Sequence, residues 1–312
     1  MSSLLQKVRG SLKKGRTHRF DVKHPDFSVA KRRNFKRIML PSGRFFILPI
    51  DQGLEHGPSD FLENPACGDP EYQLRLAKEV GFSAIAMQIG LARKYWQMPE
   101  YKKSVPLVLK INGKTCIPND SGPFSPADAT VEEAAALGAM AIGYTLYVGS
   151  SDQDDDFIQF RQIRQAAFRF DLPVIVWAYP RGKEIDEYGG KNSLAAIDYA
   201  VRVAMELGAD VVKFNLPVFP KDGYQKDSCF EKYNELKGLS EAEMLQKVIN
   251  TAGKLGTLLS GGDQVSETTA LHHASLAVKC GIDGVIFGRN VWQREYKAAV
   301  DFSLKIKKIL LK

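Results

Sequence analysis

The chain has 312 residues, of which 44% are hydrophobic and 25% are charged, and its formal net charge is +7. This composition is that of a globular protein and excludes a disordered one, and no apolar run reaches the roughly 18 residues that a membrane-spanning helix needs. The four cysteines are scattered without a CxxC pair, which argues against a disulfide framework and against a cysteine zinc site.

The first 44 residues carry the excess positive charge, with 13 Lys and Arg against two Asp. We interpret residues 1–43 as a basic N-terminal arm that precedes one catalytic domain at residues 44–312. The arm lacks the apolar stretch of roughly 7 to 15 residues that marks a secretory signal, so a cytoplasmic protein is expected. A basic arm suits nucleic acid or an anionic surface. The rest of the chain lacks the zinc spacing and the helix-turn-helix pattern of nucleic-acid binders, and we therefore expect neither a nucleic-acid nor a membrane partner.

Short runs rich in β-branched residues alternate along the chain with longer stretches of helical apolar spacing. This alternation is typical of parallel βα units. The runs lie at residues 44–51, 83–88, 106–112, 139–145, 173–178, 210–215, 257–260 and 283–288. Eight strands predict an α/β fold of the (β/α)8 barrel type, which accommodates a chain of this length as one domain. A doubly wound sheet is the alternative, but it usually has about five or six strands and a glycine-rich first turn.

The stretches between these runs predict helices, and several of them end in a glycine that suits a C-cap before a short loop. The helices are predicted near residues 70–80, 127–137, 154–170, 193–207, 240–254, 266–280 and 297–310, and the capping glycines are Gly81, Gly138, Gly208 and Gly281. Residues 216–239 form an unusually long loop after the sixth strand. Because barrel active sites lie at the C-terminal ends of the strands, this loop is expected to be a lid or a wall of the site.

The sixth strand carries a lysine between apolar neighbours. Alternation along a strand places Val212 and Phe214 on one face and Lys213 on the other. If Phe214 faces the helices, Lys213 points into the barrel, where burial lowers the pKa of an amine towards the range in which it attacks carbonyls.

A second lysine of this kind, Lys110, follows Leu109 in the third strand. Two inward cations would depress each other's pKa. Alternatively, either lysine reaches out at the end of its strand and meets a carboxylate such as Asp51.

Two further strand ends present polar and aromatic groups. Trp177, Tyr179 and Arg181 alternate along the fifth strand and therefore share one side, where they either face a substrate or fill the top of the barrel. The first strand ends in Asp51, a candidate base or lysine partner. His56 follows five residues later, either as a substrate ligand or as a loop residue.

The last two strands end in a pattern that favours phosphate binding. Ser260, Gly261 and Gly262 follow the seventh strand, and Gly288 with Arg289 follows the eighth. In barrels these two loops commonly hold a phosphate, because glycines expose backbone N–H groups and a short helix adds its positive end. Arg289 would supply a bidentate charge.

Metal catalysis is the competing way to polarise a sugar carbonyl, and it usually needs two or three histidines near carboxylates. The chain has five histidines. His18 and His24 lie in the arm, His272 and His273 lie in a predicted helix, and only His56 is expected near the site. We therefore predict no metal.

The motifs LPIDQGLEHGP, VIVWAYPRG, ELGADVVKFN, LLSGG and FGRNVWQR stand at these strand ends. With them the chain resembles the archaeal-type class I fructose-bisphosphate aldolases, a family with a bacterial branch, from about residue 45 to residue 308. The resemblance implies cleavage of fructose 1,6-bisphosphate without a cofactor, and a homo-oligomer. The long arm and the 216–239 segment are closer to the bacterial branch, and Asn215 replaces a second lysine of archaeal members.

The resemblance also implies roles for single residues. Lys213 would form the Schiff base, Tyr179 would act as general acid or base, and Asp51 would assist proton transfer. The substrate and its phosphate would be held by Trp177, Arg181, His56 and Lys110, and by Ser260, Gly261, Gly262, Gly288 and Arg289. The alternatives are a related Schiff-base aldolase, transaldolase or thiolase-like enzyme on another phosphorylated keto compound, and a noncatalytic protein that binds phosphosugars or nucleic acid.

Overall fold

The computed structural model describes residues 3–12, 20–117 and 122–312, and its centre is a closed barrel of eight strands. The strands are β1 (Phe45–Pro49), β2 (Ala84–Gln88), β3 (Leu107–Lys110), β4 (Ala141–Val148), β5 (Val174–Pro180), β6 (Val211–Phe214), β7 (Gly256–Ser260) and β8 (Gly284–Ile286). Each strand pairs in parallel with the next, and β8 pairs with β1. The prediction of a (β/α)8 barrel is confirmed.

Helices surround the barrel and occupy several loops. They are α1 (Ser3–Leu12), α2 (Val29–Arg37), α3 (Gln52–Glu55), α4 (Pro70–Val80), α5 (Ile89–Leu91), α6 (Pro99–Lys102), α7 (Val131–Leu137), α8 (Gln153–Arg169), α9 (Lys183–Glu187), α10 (Leu194–Glu206), α11 (Glu241–Thr251), α12 (Glu267–Lys279), α13 (Arg289–Trp292) and α14 (Tyr296–Leu310). Short 3₁₀ turns lie at Pro58–Phe61, Pro65–Gly68 and Glu231–Leu236, and a π-helical turn lies at Ala92–Trp96.

The seven predicted helices correspond to α4, α7, α8, α10, α11, α12 and α14. Helix α7 begins four residues later than predicted, because Thr130 caps it in a reciprocal capping box with Glu133. Gly81 and Gly138 cap α4 and α7 in the left-handed conformation, with φ values of 70° and 87°. Such a backbone favours glycine, as the sequence pattern indicated.

Alternation along the strands divides the apolar residues into two cores. Phe45, Ile47, Val108, Ile175 and Val211 belong to the group that fills the barrel. The outward residues pack against the surrounding helices, and among them Phe214 and Val212 of β6 are fully buried. The helices thus cover the Phe214 face of β6, which leaves Lys213 on the inner side.

Residues 20–38 close the barrel at the N-terminal ends of its strands. Phe20 packs against Phe35 and Phe45 with ring centroids 5.1 Å and 5.9 Å away, and Phe35 is fully buried. Lys31 Nζ lies 2.8 Å from Asp210 Oδ2, just before β6. This part of the N-terminal segment is therefore packed on the barrel, while residues 1–2 and 13–19, with His18, lie outside the described residues. The boundary at residue 43 stays a prediction.

Among the described residues, no helix combines the length and the apolar character that crossing a membrane would require.

Candidate active site

A cavity of about 580 Å³ opens at the C-terminal ends of the strands. Ten of the twelve residues predicted for the site line it, namely Asp51, His56, Tyr179, Arg181, Lys213, Ser260, Gly261, Gly262, Gly288 and Arg289. The other two, Trp177 and Lys110, are fully buried and lie close to the Lys213 amine and to the Asp51 carboxylate, respectively. The barrel thus brings the whole predicted set together.

Lys213 projects from β6 into an enclosed, partly aromatic environment. Its side chain is almost fully buried, and Nζ lies 5.0 Å from the ring centroid of Trp177 and 5.2 Å from that of Tyr179. Burial lowers the pKa of Lys213 to about 8, although Asp51 and Glu55 oppose the shift and Lys110 and Arg289 add to it. A substantial fraction of this amine is therefore neutral near physiological pH.

Lys110 shows the opposite behaviour. Its Nζ lies 2.8 Å from Glu55 Oε1 and 3.6 Å from Asp51 Oδ2. Burial lowers the pKa of Lys110, but the attraction of Glu55 and Asp51 outweighs it, so that the net shift is upward. The charge of Lys110 lowers the pKa of Lys213, as expected, but the pKa of Lys110 itself rises because two carboxylates hold its charge. Lys110 meets carboxylates, as in the alternative, but it is fully buried and does not reach out at the end of its strand.

Asp51 lies at the end of β1 as the residue before α3. Burial raises the pKa of its carboxyl group, but the charges of Lys110 and Lys213 outweigh burial and leave the pKa below its usual value. Asp51 is therefore an anion at neutral pH. Glu55, which sequence reasoning missed, lies one turn later in α3; its only sequence signal was the polar DQGLEH stretch after the strand.

Tyr179 and Arg181 lie at the end of β5. Burial raises the pKa of the Tyr179 phenol, and the nearby carboxylates Glu55 and Asp51 raise it further. The phenol is therefore protonated at neutral pH. The guanidinium carbon of Arg181 lies 5.2 Å from the Tyr179 ring centroid and 6.0 Å from that of Tyr147, a residue of β4 that sequence reasoning did not identify.

The loops after β7 and β8 are tied together by a side chain that was also missed. Asn290 donates to Gly261 O at 2.9 Å and to Asp263 O at 3.0 Å, and it accepts from Val265 N at 2.9 Å. Arg289 extends over the same loop, where it pairs with Asp263 Oδ1 at 3.0 Å. The positive group at this end of the cavity is thus held in place by loop contacts.

His56 lies at the rim, where Nδ1 is 3.1 Å from Asp60 Oδ2. Across the described parts of the chain, no three His, Cys, Asp or Glu side chains are grouped so that they could hold a metal ion.

The long segment after β6 borders the cavity at its start. Asn215 and Leu216 line the cavity, and Asn215 donates to Asn192 Oδ1 at 2.9 Å. Further along, Tyr224 and Phe230 are buried against Ile185 of α9 and against α10. The segment therefore packs against these two helices beside the cavity.

Comparisons with known proteins agree with this geometry. A family model described as "DeoC/LacD family aldolase" matches residues 45–294. The "Fructose-bisphosphate aldolase class 1" of Thermoproteus tenax is 40% identical over 261 residues, which are 83% of this chain and 88% of the relative. A "Probable fructose-bisphosphate aldolase class 1" of Chlamydia muridarum is 31% identical over 287 residues, which are 86% of this chain and 80% of the relative.

A solved structure is similar to this chain over its whole length. It is an archaeal fructose 1,6-bisphosphate aldolase with its catalytic lysine covalently bound to the carbinolamine intermediate of the substrate. The TM-score is 0.75 at 36% sequence identity, and the match covers 91% of this chain and all of the other.

Proposed function

The chain belongs to the DeoC/LacD aldolase family, and from this premise we propose that it is a class I aldolase that cleaves fructose 1,6-bisphosphate through a Schiff base on Lys213. The products are dihydroxyacetone phosphate and glyceraldehyde 3-phosphate, and the reaction is reversible. The observation that carries the proposal is the buried Lys213 amine, whose lowered pKa of about 8 makes it a nucleophile, and which lines a cavity of about 580 Å³ that is large enough for a sugar phosphate.

The first half of the cycle forms the iminium. Neutral Lys213 attacks the C2 carbonyl, and the carbinolamine that results loses its hydroxyl as water. Because Tyr179 is a protonated phenol, it can donate the proton that this departing hydroxyl needs. The anionic Asp51 carboxylate stabilises the positive charge that develops on the Lys213 nitrogen and assists its proton transfers.

The second half breaks the carbon–carbon bond. The Tyr179 phenolate takes the proton of the C4 hydroxyl while the electrons of the C3–C4 bond move into the iminium, which becomes an enamine. Glyceraldehyde 3-phosphate leaves first. The Tyr179 phenol then returns its proton to C3, and hydrolysis of the iminium releases dihydroxyacetone phosphate and regenerates the Lys213 amine.

One phosphate fits the loops after β7 and β8. Arg289 supplies a positive charge at this end of the cavity, which Ser260, Gly262 and Gly288 also line. Gly261 contributes shape rather than a donor, because its N–H group already donates to Ile286 O. The side chain of Asp263 is 89% exposed, so it can turn into solvent when a phosphate takes its place beside Arg289.

The remaining residues suit the rest of the substrate. Trp177 forms an apolar wall beside Lys213, and charged Lys110 lies behind it. Arg181, on the loop after β5, and His56, on the loop after β1, also line the cavity and would contact the end of the substrate that carries the second phosphate.

We further propose that the protein works in glycolysis and gluconeogenesis as a cytoplasmic homo-oligomer without nucleic-acid or membrane partners. Exposed apolar side chains on the outer helices, such as Ile158 and Phe168 of α8 and Leu304 of α14, are candidate subunit contacts. Light scattering during size-exclusion chromatography measures the number of subunits directly.

Reduction with borohydride in the presence of fructose 1,6-bisphosphate tests the central proposal. Peptide mass spectrometry is expected to find one reduced sugar-phosphate adduct on Lys213 and none in the Lys213→Ala variant. Lys94→Ala, which changes an exposed lysine, is the matched control and should keep the adduct. An adduct on Lys110, or activity that EDTA abolishes while no adduct forms, would contradict the proposal.

A further inference from the structure

Strand β4 is twice as long as its neighbour β3, and this leaves one of its edges without a strand. The last pair between them joins Lys110 to Gly143. On the other side, pairing with β5 continues to Val148 and Pro180. The upper part of β4 therefore rises beside the cavity as a two-stranded ribbon with β5.

Side chains take the place of the missing strand along this edge. The N–H groups of Thr145, Tyr147 and Gly149 are the alternate donors that face it. They donate to Asn112 Oδ1 at 2.7 Å, Asp156 Oδ2 at 2.9 Å and Gln153 Oε1 at 3.1 Å. Asn112 also donates to Thr145 O at 2.8 Å, which completes the pattern of a strand neighbour. Three substitutes in register indicate that the fold maintains this extension.

The extension carries Tyr147 into the active-site cavity. Tyr147 lines the cavity and is almost fully buried, with its ring 6.0 Å from the Arg181 guanidinium carbon. Asp156 is fully buried on α8 and holds the Tyr147 backbone on one side. The same carboxylate accepts a hydrogen bond from Tyr144, whose ring lies on the opposite face of β4, away from the cavity.

The Tyr147 phenol is a hydrogen-bond donor at neutral pH. Burial raises its pKa, and the charge of Glu55 raises it further. A neutral phenol beside Arg181 and Glu55 suits the hydroxyl and carbonyl oxygens of a sugar.

The position of Tyr147 relative to the reacting carbon indicates which half of the substrate it meets. Given the proposed function, C2 is bound to Lys213 and one phosphate lies on the loops after β7 and β8. The carbons that leave as the aldehyde then extend towards the other loops, where the ends of β1, β4 and β5 bring Glu55, Tyr147 and Arg181 together.

We propose that Tyr147 is a further substrate-contacting residue, which binds the half of the sugar that leaves as the aldehyde. Asn112 and Asp156 are its positioning residues. This inference rests on the proposed aldolase function. It also assigns a purpose to the buried Asp156 carboxylate, which otherwise only ties β4 to α8.

Two reactions of the Tyr147→Phe variant separate this role from a structural one. Dihydroxyacetone phosphate alone forms the Schiff base and exchanges its C3 proton with deuterium from the solvent, and neither step involves the aldehyde half. These steps are expected to stay within about twofold of wild type. Cleavage of fructose 1,6-bisphosphate should fall roughly 5- to 100-fold, the effect of leaving a buried partner without its hydrogen bond.

Tyr144→Phe is the matched control, because it removes a phenol of the same strand and of the same Asp156 network without touching the cavity. It should leave the ratio of the cleavage rate to the proton-exchange rate unchanged. Asp156→Asn, like Tyr147→Phe, should lower the ratio of cleavage to proton exchange, since it loosens the backbone that carries Tyr147.

Equal loss of both reactions in Tyr147→Phe, or an unchanged rate of cleavage, would overturn the inference. Failure of the proposed function itself looks different. In that case the wild-type protein would neither trap dihydroxyacetone phosphate on Lys213 nor exchange its proton.

Discussion

The ammonium nitrogen of Lys110 lies 2.8 Å from Glu55 Oε1, and this contact gives the two buried lysines of the barrel different charges. Glu55 and Asp51 together keep Lys110 protonated. A fixed cation near Lys213 adds to the effect of burial on the Lys213 amine. Lys110 thus helps to lower the pKa of Lys213 without reacting itself, whereas Glu55, which holds the charge of Lys110, opposes that shift.

The pH dependence of Schiff-base formation follows from the lowered pKa of Lys213. Only the neutral amine attacks, so the rate of trapping should rise with pH, reach half its maximum near the pKa of about 8, and fall tenfold per pH unit well below it. The measurement is the rate of adduct formation with cyanoborohydride between pH 6 and 9.5.

The substrate phosphate also titrates, with a pKa of about 6. Unphosphorylated dihydroxyacetone is therefore the control, and it should give the same midpoint at a lower rate. A midpoint near 10.5, the ordinary lysine value, would contradict the burial of a neutral amine.

Glu55→Gln is expected to destabilise the fold. Lys110 is fully buried, and removing one partner of a buried ion pair typically costs about 3–5 kcal/mol because it leaves an uncompensated charge. We expect about 3 kcal/mol, since Asp51 remains close to the ammonium. Urea unfolding measures the free energy of unfolding.

The double variant Lys110→Met, Glu55→Gln is the control for that prediction. With both charges removed, the loss should be clearly smaller than the sum of the two single losses. If the loss in the double variant equals the sum of the two single losses to within about 0.5 kcal/mol, the two groups do not interact energetically.

Much of the site follows from period-two alternation. The pattern in VVKF puts Lys213 on the face opposite Phe214, which is the inner face once the helices cover Phe214. The alternation of Trp177, Tyr179 and Arg181 places them on one side of β5. The juxtaposition of the glycines after β7 and β8 follows from barrel topology, which puts the ends of neighbouring strands together. These inferences need only the side of a strand on which a residue lies, or the strand end that it follows.

Other site residues depend on how loops fold, which no periodicity describes. Glu55 reaches Lys110 because α3 turns back over the barrel, and Asp263 reaches Arg289 across two loops. Tyr147 was missed for a different reason. The apolar pattern predicts a strand that ends at residue 145, but side chains from Asn112 and Asp156 extend β4 to Val148.

Gly143 is another residue whose role only packing shows. A Cβ atom at this position of β4 would lie 2.7 Å from the Trp177 ring and 3.2 Å from Lys110 Cδ. Gly143→Ala should therefore displace Trp177, cost about 1–3 kcal/mol through overpacking, and lower kcat by up to about 100-fold through misplacement of the reacting groups. Steady-state kinetics and urea unfolding measure the two effects.

Gly90→Ala is the control for Gly143→Ala. A Cβ atom there meets nothing within 4 Å, so the change should leave activity and stability nearly unaltered. Full activity of Gly143→Ala would show that the Trp177 ring can move without consequence for catalysis.

The N-terminal segment is where sequence reasoning was least informative, because its isolated aromatic residues lie among basic ones and show no periodicity. Phe35 is fully buried at the N-terminal end of the barrel, in contact with Phe20 and Phe27. Phe35→Ala should therefore lower the free energy of unfolding by about 3–5 kcal/mol, as for other buried phenylalanines. The active site lies at the opposite ends of the strands, so kcat at 25 °C should stay near wild type.

Val29→Ala is the control, because it changes a side chain of the same helix that is 73% exposed. Its effect on the free energy of unfolding should stay within about 0.5 kcal/mol. The comparison also tests the boundary at residue 43. If residues 1–43 were a separable arm, Phe35→Ala would leave the cooperative unfolding of the barrel unchanged. A single urea transition that shifts as a whole would instead mean that the segment and the barrel unfold together, because the aromatic cluster around Phe35 is part of the barrel core.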